Sequence, residues 1–210
     1  MYEHIWEGKI GAAGAAFSAY DIQQCIREDD AKCHAPFIVG IDPAFSDDGD
    51  FTAMVLSDQH ANLLDVERFR IGDPQRRFDR IHAILRKWDE TRQEVVIDNS
   101  LGHADELCNY LQAQRYHINR FEYAGRRTQM FEKIGRRLAN KQITWRAGAG
   151  EHWEFGDFTE ELLGIVRDNS GIVDHTSGRH DDMVCAAAQC IFVLEDSVRT
   201  IRPAARTRRR

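Results

Sequence analysis

The sequence predicts an α/β fold in which a mixed sheet, an antiparallel meander followed by parallel strands, carries helices on both faces. Three apolar segments joined by polar turns come first, and such a run is typical of a meander. Short apolar strands then alternate with segments of helical periodicity, which is typical of parallel strands connected by helices. The 210 residues, 42% hydrophobic and 30% charged, suffice for one globular domain with a sizeable core.

The meander begins with "PFIVGIDPAF", a buried strand that ends at Asp42 because Pro43 breaks it. The segments "FTAMVLSD" and "NLLDVERFRI" follow as the second and third strands, after turns at "SDDGD" and "DQHAN". Ahead of the meander, "FSAYDIQQCIREDD" places Phe17, Ile22 and Ile26 at helical spacing and predicts a short helix.

Helices and strands alternate after the meander. In "DPQRRFDRIHAILRKWDE", Asp73 is the expected helix cap, Pro74 occupies the first turn, and apolar residues recur on one face. "EVVIDNS" is then a short buried strand that ends at Asp98. The remaining predictions are a helix in "HADELCNYLQAQRY", a strand in "INRFEY", a helix in "TQMFEKIGRRLANK", a strand in "QITWR", an open loop at 148–150, a helix in "EFGDFTEELLGIVRD" and a long helix in "DDMVCAAAQCIFVLED". The small residues of this last helix predict a close approach to the sheet.

Composition argues against several classes of protein. No stretch approaches the roughly eighteen apolar residues of a membrane span, and "MYEHIWEGKIG" lacks the apolar core of a secretory signal, so we expect an intracellular protein. The five cysteines are odd in number and contain no C-x-x-C, which argues against a disulfide framework and a structural zinc site. The formal charge is −6, but residues 199–210 hold six arginines and no acid, which leaves about −12 on the remainder by subtraction.

Aspartates stand at the ends of three predicted elements. Asp42 ends the first strand, Asp98 ends a later one, and Asp181 and Asp182 begin the last helix. These elements can bring their carboxylates to one end of the sheet, where open α/β sheets place their sites. Clustered carboxylates repel one another unless a cation neutralises them, and an all-oxygen set selects a hard ion such as Mg²⁺ or Mn²⁺. Taken singly, each acid also fits a turn, a strand end or a helix cap.

Three segments carry a resemblance to a known family: "VGIDPAFSDDGDFTAMVL", "VVIDNSLGHADEL" and "SGRHDDMVCAAAQCIF". In this order and spacing they resemble the nuclease domain of the large subunit of tailed-phage terminases, which belongs to the ribonuclease H-like (RuvC resolvase-like) superfamily. The resemblance implies a ribonuclease H-like nuclease domain over residues 36–196 and, through "YEHIWEGKIG", a segment at 1–35 that joins it to an absent packaging ATPase. Residues 197–210 are expected to form a basic, disordered tail.

The resemblance also implies an activity and its site. The implied enzyme is an endonuclease that cuts concatemeric double-stranded DNA in the host cell cytoplasm during viral genome packaging. Its implied metal ligands are Asp42, Asp98 and Asp182, with Asp181 as a further candidate, and they would hold two Mg²⁺ or Mn²⁺ ions. Two such ions, about 3.5–4 Å apart, activate a water and stabilise the leaving oxygen of a phosphodiester.

Two residues near the last helix qualify this picture. His180 lies beside the acids and is a candidate catalytic residue that orients water or transfers a proton. Many relatives carry another acid three residues after the last ligand, where this chain has Cys185. Because a thiol is a poor ligand for Mg²⁺, we expect a weaker second ion site, or one completed by a neighbouring acid or by His180.

A local basic cluster is the candidate DNA-binding surface, because the chain as a whole is acidic. Its members lie within sixteen positions and are Arg126, Arg127, Lys133, Arg136, Arg137 and Lys141. A solvated helix face is the alternative. No base-reading motif occurs, so contacts with DNA phosphates are expected, with little sequence readout. The chain has no G-x-x-x-x-G-K-[ST] phosphate loop, and the resemblance implies the terminase ATPase domain, small subunit and portal as partners, and no membrane.

Two other functions fit the same acids. A Holliday-junction resolvase or transposase-like nuclease of the same fold would share them, but should carry its own dimer or target-binding elements. A non-catalytic, scaffold-binding domain would use them only to hold a structural ion. Cutting of plasmid DNA that depends on a divalent metal separates this last function from the enzymes.

Overall fold

The computed structural model describes residues 14–28, 34–35, 37–45, 51–88, 93–123, 125–147, 153–171, 173–176 and 180–200. Outside these described residues lie the predicted turn "SDDGD", the predicted loop at 148–150, much of segment 1–35 and the tail from 201 onward. In chain order the elements are α1 (Ala19–Cys25), β1 (Ile26–Arg27), β2 (Phe37–Asp42), β3 (Thr52–Asp58), β4 (Leu63–Phe69), α2 (Pro74–Lys87), β5 (Gln93–Asp98), α3 (Asp105–Ala113), β6 (His117–Phe121), α4 (Arg127–Ala139), β7 (Trp145–Arg146), α5 (Trp153–Gly164), β8 (Ile165–Arg167), β9 (Val173–His175) and α6 (Asp182–Thr200).

Five strands form the central sheet in the order β4-β3-β2-β5-β6. The β2–β3 and β3–β4 pairs are antiparallel, whereas the β2–β5 and β5–β6 pairs are parallel. The predicted meander followed by parallel strands is therefore confirmed. Because β2 and β5 are parallel neighbours with Ile41 opposite Ile97, the residues that follow, Asp42 and Asp98, reach the same end of the sheet.

The side chains of the sheet alternate between two apolar layers. Ile41 of β2 belongs to the layer that contains α2 and α3, whereas Ile38 of β2 and Val96 of β5 belong to the layer that contains α4, α5 and α6. Helices thus cover both faces, as predicted. Because side-chain direction alternates with a period of two, Asp42 and Asp98 extend toward the α6 layer.

The final helix, α6, lies close against β2, as its small residues predict. A Cβ added at Gly40 would stand 2.0 Å from the carbonyl oxygen of Ala186, so only glycine fits there. Gln189 is fully buried in the same helix. With its amide nitrogen oriented toward the sheet, it donates to the carbonyls of Ile41 (3.0 Å) and Val96 (3.1 Å). These contacts hold the first turns of α6 over the ends of β2 and β5.

Two predicted elements differ from the structure. The strand predicted in "QITWR" is reduced to β7, which pairs in parallel with β1 outside the central sheet. The helix predicted in "EFGDFTEELLGIVRD" ends at Gly164, and β8 then pairs antiparallel with β9. Ile165 and Val166 are β-branched and fit this short hairpin better than a helix, although their spacing continues the helical pattern. No helix in the described part of the chain is long and apolar enough to cross a bilayer.

Candidate metal centre

Carboxylates from three elements converge at one end of the sheet. Asp42 ends β2, Asp98 ends its parallel neighbour β5, and Asp182 begins α6, which packs on both strands. Burial raises the pKa of Asp42 well above its usual range, and the negative charges of Asp182, Asp98 and Asp181 raise it further. A carboxylate perturbed by three like-charged neighbours lies within electrostatic range of all of them. The structure thus brings together the acids that the sequence analysis selected.

Asp98 is held by the residues that follow the parallel strands. Its Oδ1 accepts hydrogen bonds from the backbone N–H (3.0 Å) and the hydroxyl (2.6 Å) of Ser100, and from the backbone N–H of Tyr123 (3.3 Å). The Tyr123 N–H also donates to Ser100 Oγ at 3.0 Å. Ser100 lies just after β5 and Tyr123 just after β6, so two adjacent strand ends fix the orientation of this carboxylate.

Asp182 is buried and contacts the residue that precedes β3. Its Oδ2 accepts a hydrogen bond from the backbone N–H of Phe51 at 3.3 Å. The Nδ1 atom of His180 lies 3.6 Å from the same oxygen, and the His180 ring packs edge-on against the Phe51 ring at 5.1 Å between centroids. The structure therefore places His180 beside the acid cluster, within one water's reach of Asp182.

Asp181 forms a salt bridge with Arg127. Arg127, the first residue of α4, donates from Nη2 to Asp181 Oδ2 and to Asp174 Oδ1 (2.7 Å). The same Nη2 lies 3.2 Å from Nδ1 of His175, which is itself 3.5 Å from Asp181 Oδ1. Burial raises the pKa of Asp181, and the charge of Arg127 opposes this shift. Asp181 and Arg127, expected to bind metal and DNA respectively, are thus partners of each other.

Cys185 faces the acid cluster from one turn further along α6. Its Sγ lies 3.0 Å from the hydroxyl of Tyr123, and its side chain is buried. Burial, and then the charges of Asp42 and Asp181, raise the pKa of this thiol well above its usual range. The thiol therefore stays protonated and neutral beside the carboxylates, where a relative with an acid at this position would add a negative charge.

Glu161 of α5 is a polar residue of the site that the sequence analysis missed. Its Oε2 accepts hydrogen bonds from the N–H groups of Met183 (2.9 Å) and Val184 (3.2 Å), so it caps the first turn of α6. Arg68 of β4 pairs with its other oxygen at 3.1 Å. Burial and the charge of Asp182 raise the pKa of Glu161 from its ordinary 4.5 to about 8. No local spacing relates Glu161 to residues 182–184, so no sequence signal marks it.

Some residues of the predicted basic cluster on α4 form ion pairs within the protein. Lys133 is only 4% exposed, and its ammonium lies 3.4 Å from Glu195 and 3.5 Å from the centroid of the Phe192 ring. Arg137 pairs with the same glutamate at 3.4 Å and Arg136 at 3.8 Å. The members with exposed side chains are Arg126, Arg136 and Lys141.

Two further arginines, Arg68 and Arg70, pack on the Phe51 ring and were not predicted. The guanidinium of Arg70, an exposed residue just after β4, lies 4.2 Å from the centroid of the Phe51 ring. The guanidinium of Arg68 lies 4.7 Å from the same ring. Because the backbone N–H of Phe51 donates to Asp182, these two guanidinium groups lie near the carboxylates.

No family model matches the sequence, and no curated protein matches it. Solved structures do resemble the fold. The large terminase nuclease from thermophilic phage G20c with bound magnesium matches with a TM-score of 0.67 and 16% identity, over 87% of this chain and 98% of that chain. The same nuclease with bound cobalt matches with a TM-score of 0.62 and 19% identity, over 87% and 98% of the two chains.

A nuclease from a second virus gives the same result. The nuclease domain of the large terminase subunit gp2 of bacterial virus Sf6 matches with a TM-score of 0.65 and 11% identity, over 84% of this chain and 98% of that chain. Both matches cover nearly the whole length of the solved nuclease domains. The chain therefore has the ribonuclease H-like fold of the large terminase nuclease domains.

Proposed function

We propose that this domain is a divalent-metal-dependent endonuclease that cuts double-stranded DNA. The observation that carries the proposal is the convergence of Asp42, Asp98 and Asp182 at the ends of two parallel strands and the start of a helix. The likeness in fold to terminase nucleases, one of them with bound magnesium, supports it. Clustered acids occur in many proteins, but here they lie at the carboxyl ends of parallel strands, where open α/β sheets bind their ligands.

The donor set suits a hard divalent ion. Asp42, Asp98 and Asp182 offer only carboxylate oxygens, which are the ligands that Mg²⁺ and Mn²⁺ prefer. Burial is the main cause of the raised pKa of Asp42, and repulsion by the charges of Asp182, Asp98 and Asp181 adds to it. A bound cation removes this repulsion and favours the ionised carboxylates.

The residues around the acids have defined roles in the proposed reaction. A bound divalent ion supplies Lewis-acid chemistry, lowering the pKa of a water and stabilising negative charge on phosphate oxygens. Ser100 and the Tyr123 N–H hold Asp98 in one orientation, and the Phe51 N–H holds Asp182. His180, whose Nδ1 lies 3.6 Å from Asp182, is the residue that we propose orients a water or carries a proton.

The substrate and partners follow from the resemblance. Concatemeric viral DNA in the host cytoplasm is the proposed substrate, and the terminase ATPase domain, the small subunit and the portal are the proposed partners. DNA phosphates would be contacted by exposed arginines, among them Arg126 and Arg70. Because these phosphate contacts are few and the body of the domain is acidic, DNA binding should be weak and should weaken further as salt rises.

Nicking of supercoiled plasmid in Mn²⁺ or Mg²⁺ tests the proposal. Asp42→Asn and Asp182→Asn should each abolish nicking while the far-ultraviolet circular dichroism stays that of the wild type, because each removes a ligand charge but keeps the shape of the side chain. The matched control is Asp79→Asn, on the exposed face of α2, which should nick normally. Normal nicking by a folded Asp42→Asn protein would refute the assignment.

The alternative functions give different results in related assays. A junction resolvase should cut a four-way junction in preference to a linear duplex of the same sequence, and should do so as a dimer. A structural-ion or scaffold-binding domain should bind Mn²⁺ but leave plasmid intact at every metal concentration. The proposed nuclease should cut plasmid and linear duplex alike, with little dependence on base sequence.

A further inference from the structure

Arg127 makes contacts that a metal ion would otherwise make. The ligand atoms of Asp174, His175 and Asp181 lie within 4.8 Å of one another, a spacing that a single cation can bridge. The Nη2 atom of Arg127 contacts all three residues. His175 Nδ1 lies 3.2 Å from this guanidinium and 3.1 Å from Oδ1 of Asp174, and the neutral tautomer with a free Nδ1 lone pair accepts from Arg127 as it would bind a metal.

The Arg127 side chain is held in place. Its guanidinium carbon lies 5.2 Å from the centroid of the Phe131 ring and 5.7 Å from that of Tyr123, and the side chain is 29% exposed. Its backbone begins α4, whose apolar residues Met130 and Phe131 are fully buried. A partly buried guanidinium that pairs with two carboxylates and packs on two rings does not leave its place without losing several contacts at once.

Position 185, beside Asp181, carries no acid that could bind a second ion. Cys185 occupies the position on α6 where a carboxylate would face the acids, and its thiol bonds the Tyr123 hydroxyl at 3.0 Å. A neutral thiol is a poor ligand for a hard ion. A second ion would therefore have to displace Arg127 from Asp181, without the help of an acid at position 185.

We propose that Arg127 is a built-in cation that takes the place of the second metal ion, so that the domain binds one divalent ion at Asp42, Asp98 and Asp182. This inference rests on the proposed metal site. Arg127 is a positioning residue, because it acts through Asp181 and keeps that carboxylate neutralised beside the bound ion. Removing its charge should release Asp181, Asp174 and His175 as a ligand set for another ion.

The number of bound Mn²⁺ ions tests this inference directly. Titration followed by electron paramagnetic resonance of the free ion should give one bound Mn²⁺ in the wild type and two in Arg127→Gln, the second bound more weakly. Arg127→Lys, which keeps the charge, should remain at one. Arg126→Gln is the matched control, because it neutralises the neighbouring exposed arginine and should also remain at one.

A double variant identifies the residues that hold the additional ion. Adding Asp181→Asn to Arg127→Gln should return the count from two to one. Two bound ions in the wild type would overturn this inference but not the proposed metal site, even if Arg127→Gln did not fold. A folded Arg127→Gln protein that binds one ion would also overturn the inference. No bound ion in the wild type would overturn the proposed metal site, and the inference with it.

Discussion

Replacing Gly40 by alanine should force α6 away from the sheet. The added Cβ would stand 2.0 Å from the carbonyl oxygen of Ala186, whereas ordinary contacts begin at 3.4 Å, so the two backbones must separate by about 1.4 Å. Overpacking typically costs 1–3 kcal/mol, and the obstacle here is helix backbone, so we expect about 3 kcal/mol. The lower entropy of the unfolded alanine chain offsets only about 0.4–1 kcal/mol of this cost.

The displacement should also impair the metal site, because α6 carries Asp182 and β2 carries Asp42. For a domain of this length, about 3 kcal/mol corresponds to a melting temperature lower by about 6–12 °C. Changes to the groups that orient metal ligands typically cost about 10–100-fold in metal affinity, so affinity for Mn²⁺ should fall by at least about tenfold. Both quantities can be measured, by thermal unfolding in EDTA and by Mn²⁺ titration.

Gly135→Ala is the matched control for the same exchange. Its Cβ would meet the Phe17 ring at an ordinary 3.4 Å, and it lies inside α4, where alanine is favoured over glycine by about 1 kcal/mol. The control should therefore melt about 2–4 °C above the wild type. A Gly40→Ala protein that melts within about 2 °C of the wild type would refute the close contact between α6 and β2.

Three further predictions follow from the site and the tail. Because the pKa of Glu161 is about 8 in the folded protein and 4.5 ordinarily, the folded state binds more protons between these values, and stability in EDTA should fall as pH rises from 4.5 to 8. The melting temperature should depend less on pH across this range in Glu161→Gln than in the wild type. An equally steep decline in the variant would contradict the raised pKa of Glu161. Cys185→Asp adds a hard oxygen ligand, so it should lower the Mg²⁺ concentration needed for cleavage, whereas Cys185→Ser should not. An unchanged Mg²⁺ requirement in the aspartate variant would mean that position 185 takes no part in ion binding. Removing residues 199–210 deletes six positive charges and should weaken DNA binding most at low salt; equal retention on a DNA filter at every salt concentration would show that the tail does not hold DNA.

The sequence predicted most of the architecture because local residue patterns indicate strands, helices and their ends. Short continuous apolar runs predicted β2 and β5, and the aspartates that end them reach the same end of the sheet once the strands are parallel neighbours. Small residues in α6 predicted its close approach to Gly40. Local patterns failed for the short strands β8 and β9, because three residues are too few for a strand pattern to compete with helical spacing.

By itself, the sequence predicted which acids meet at one end of the sheet, since Asp42 and Asp98 end two strands and Asp182 begins the last helix. Only the tertiary structure decided what surrounds them. Arg127 and Asp181 are 54 positions apart, and both were assigned other partners until the fold placed the guanidinium beside the carboxylate. The physical reason is that a charged side chain takes the nearest compensating charge in space once burial removes water, and sequence spacing does not report that distance.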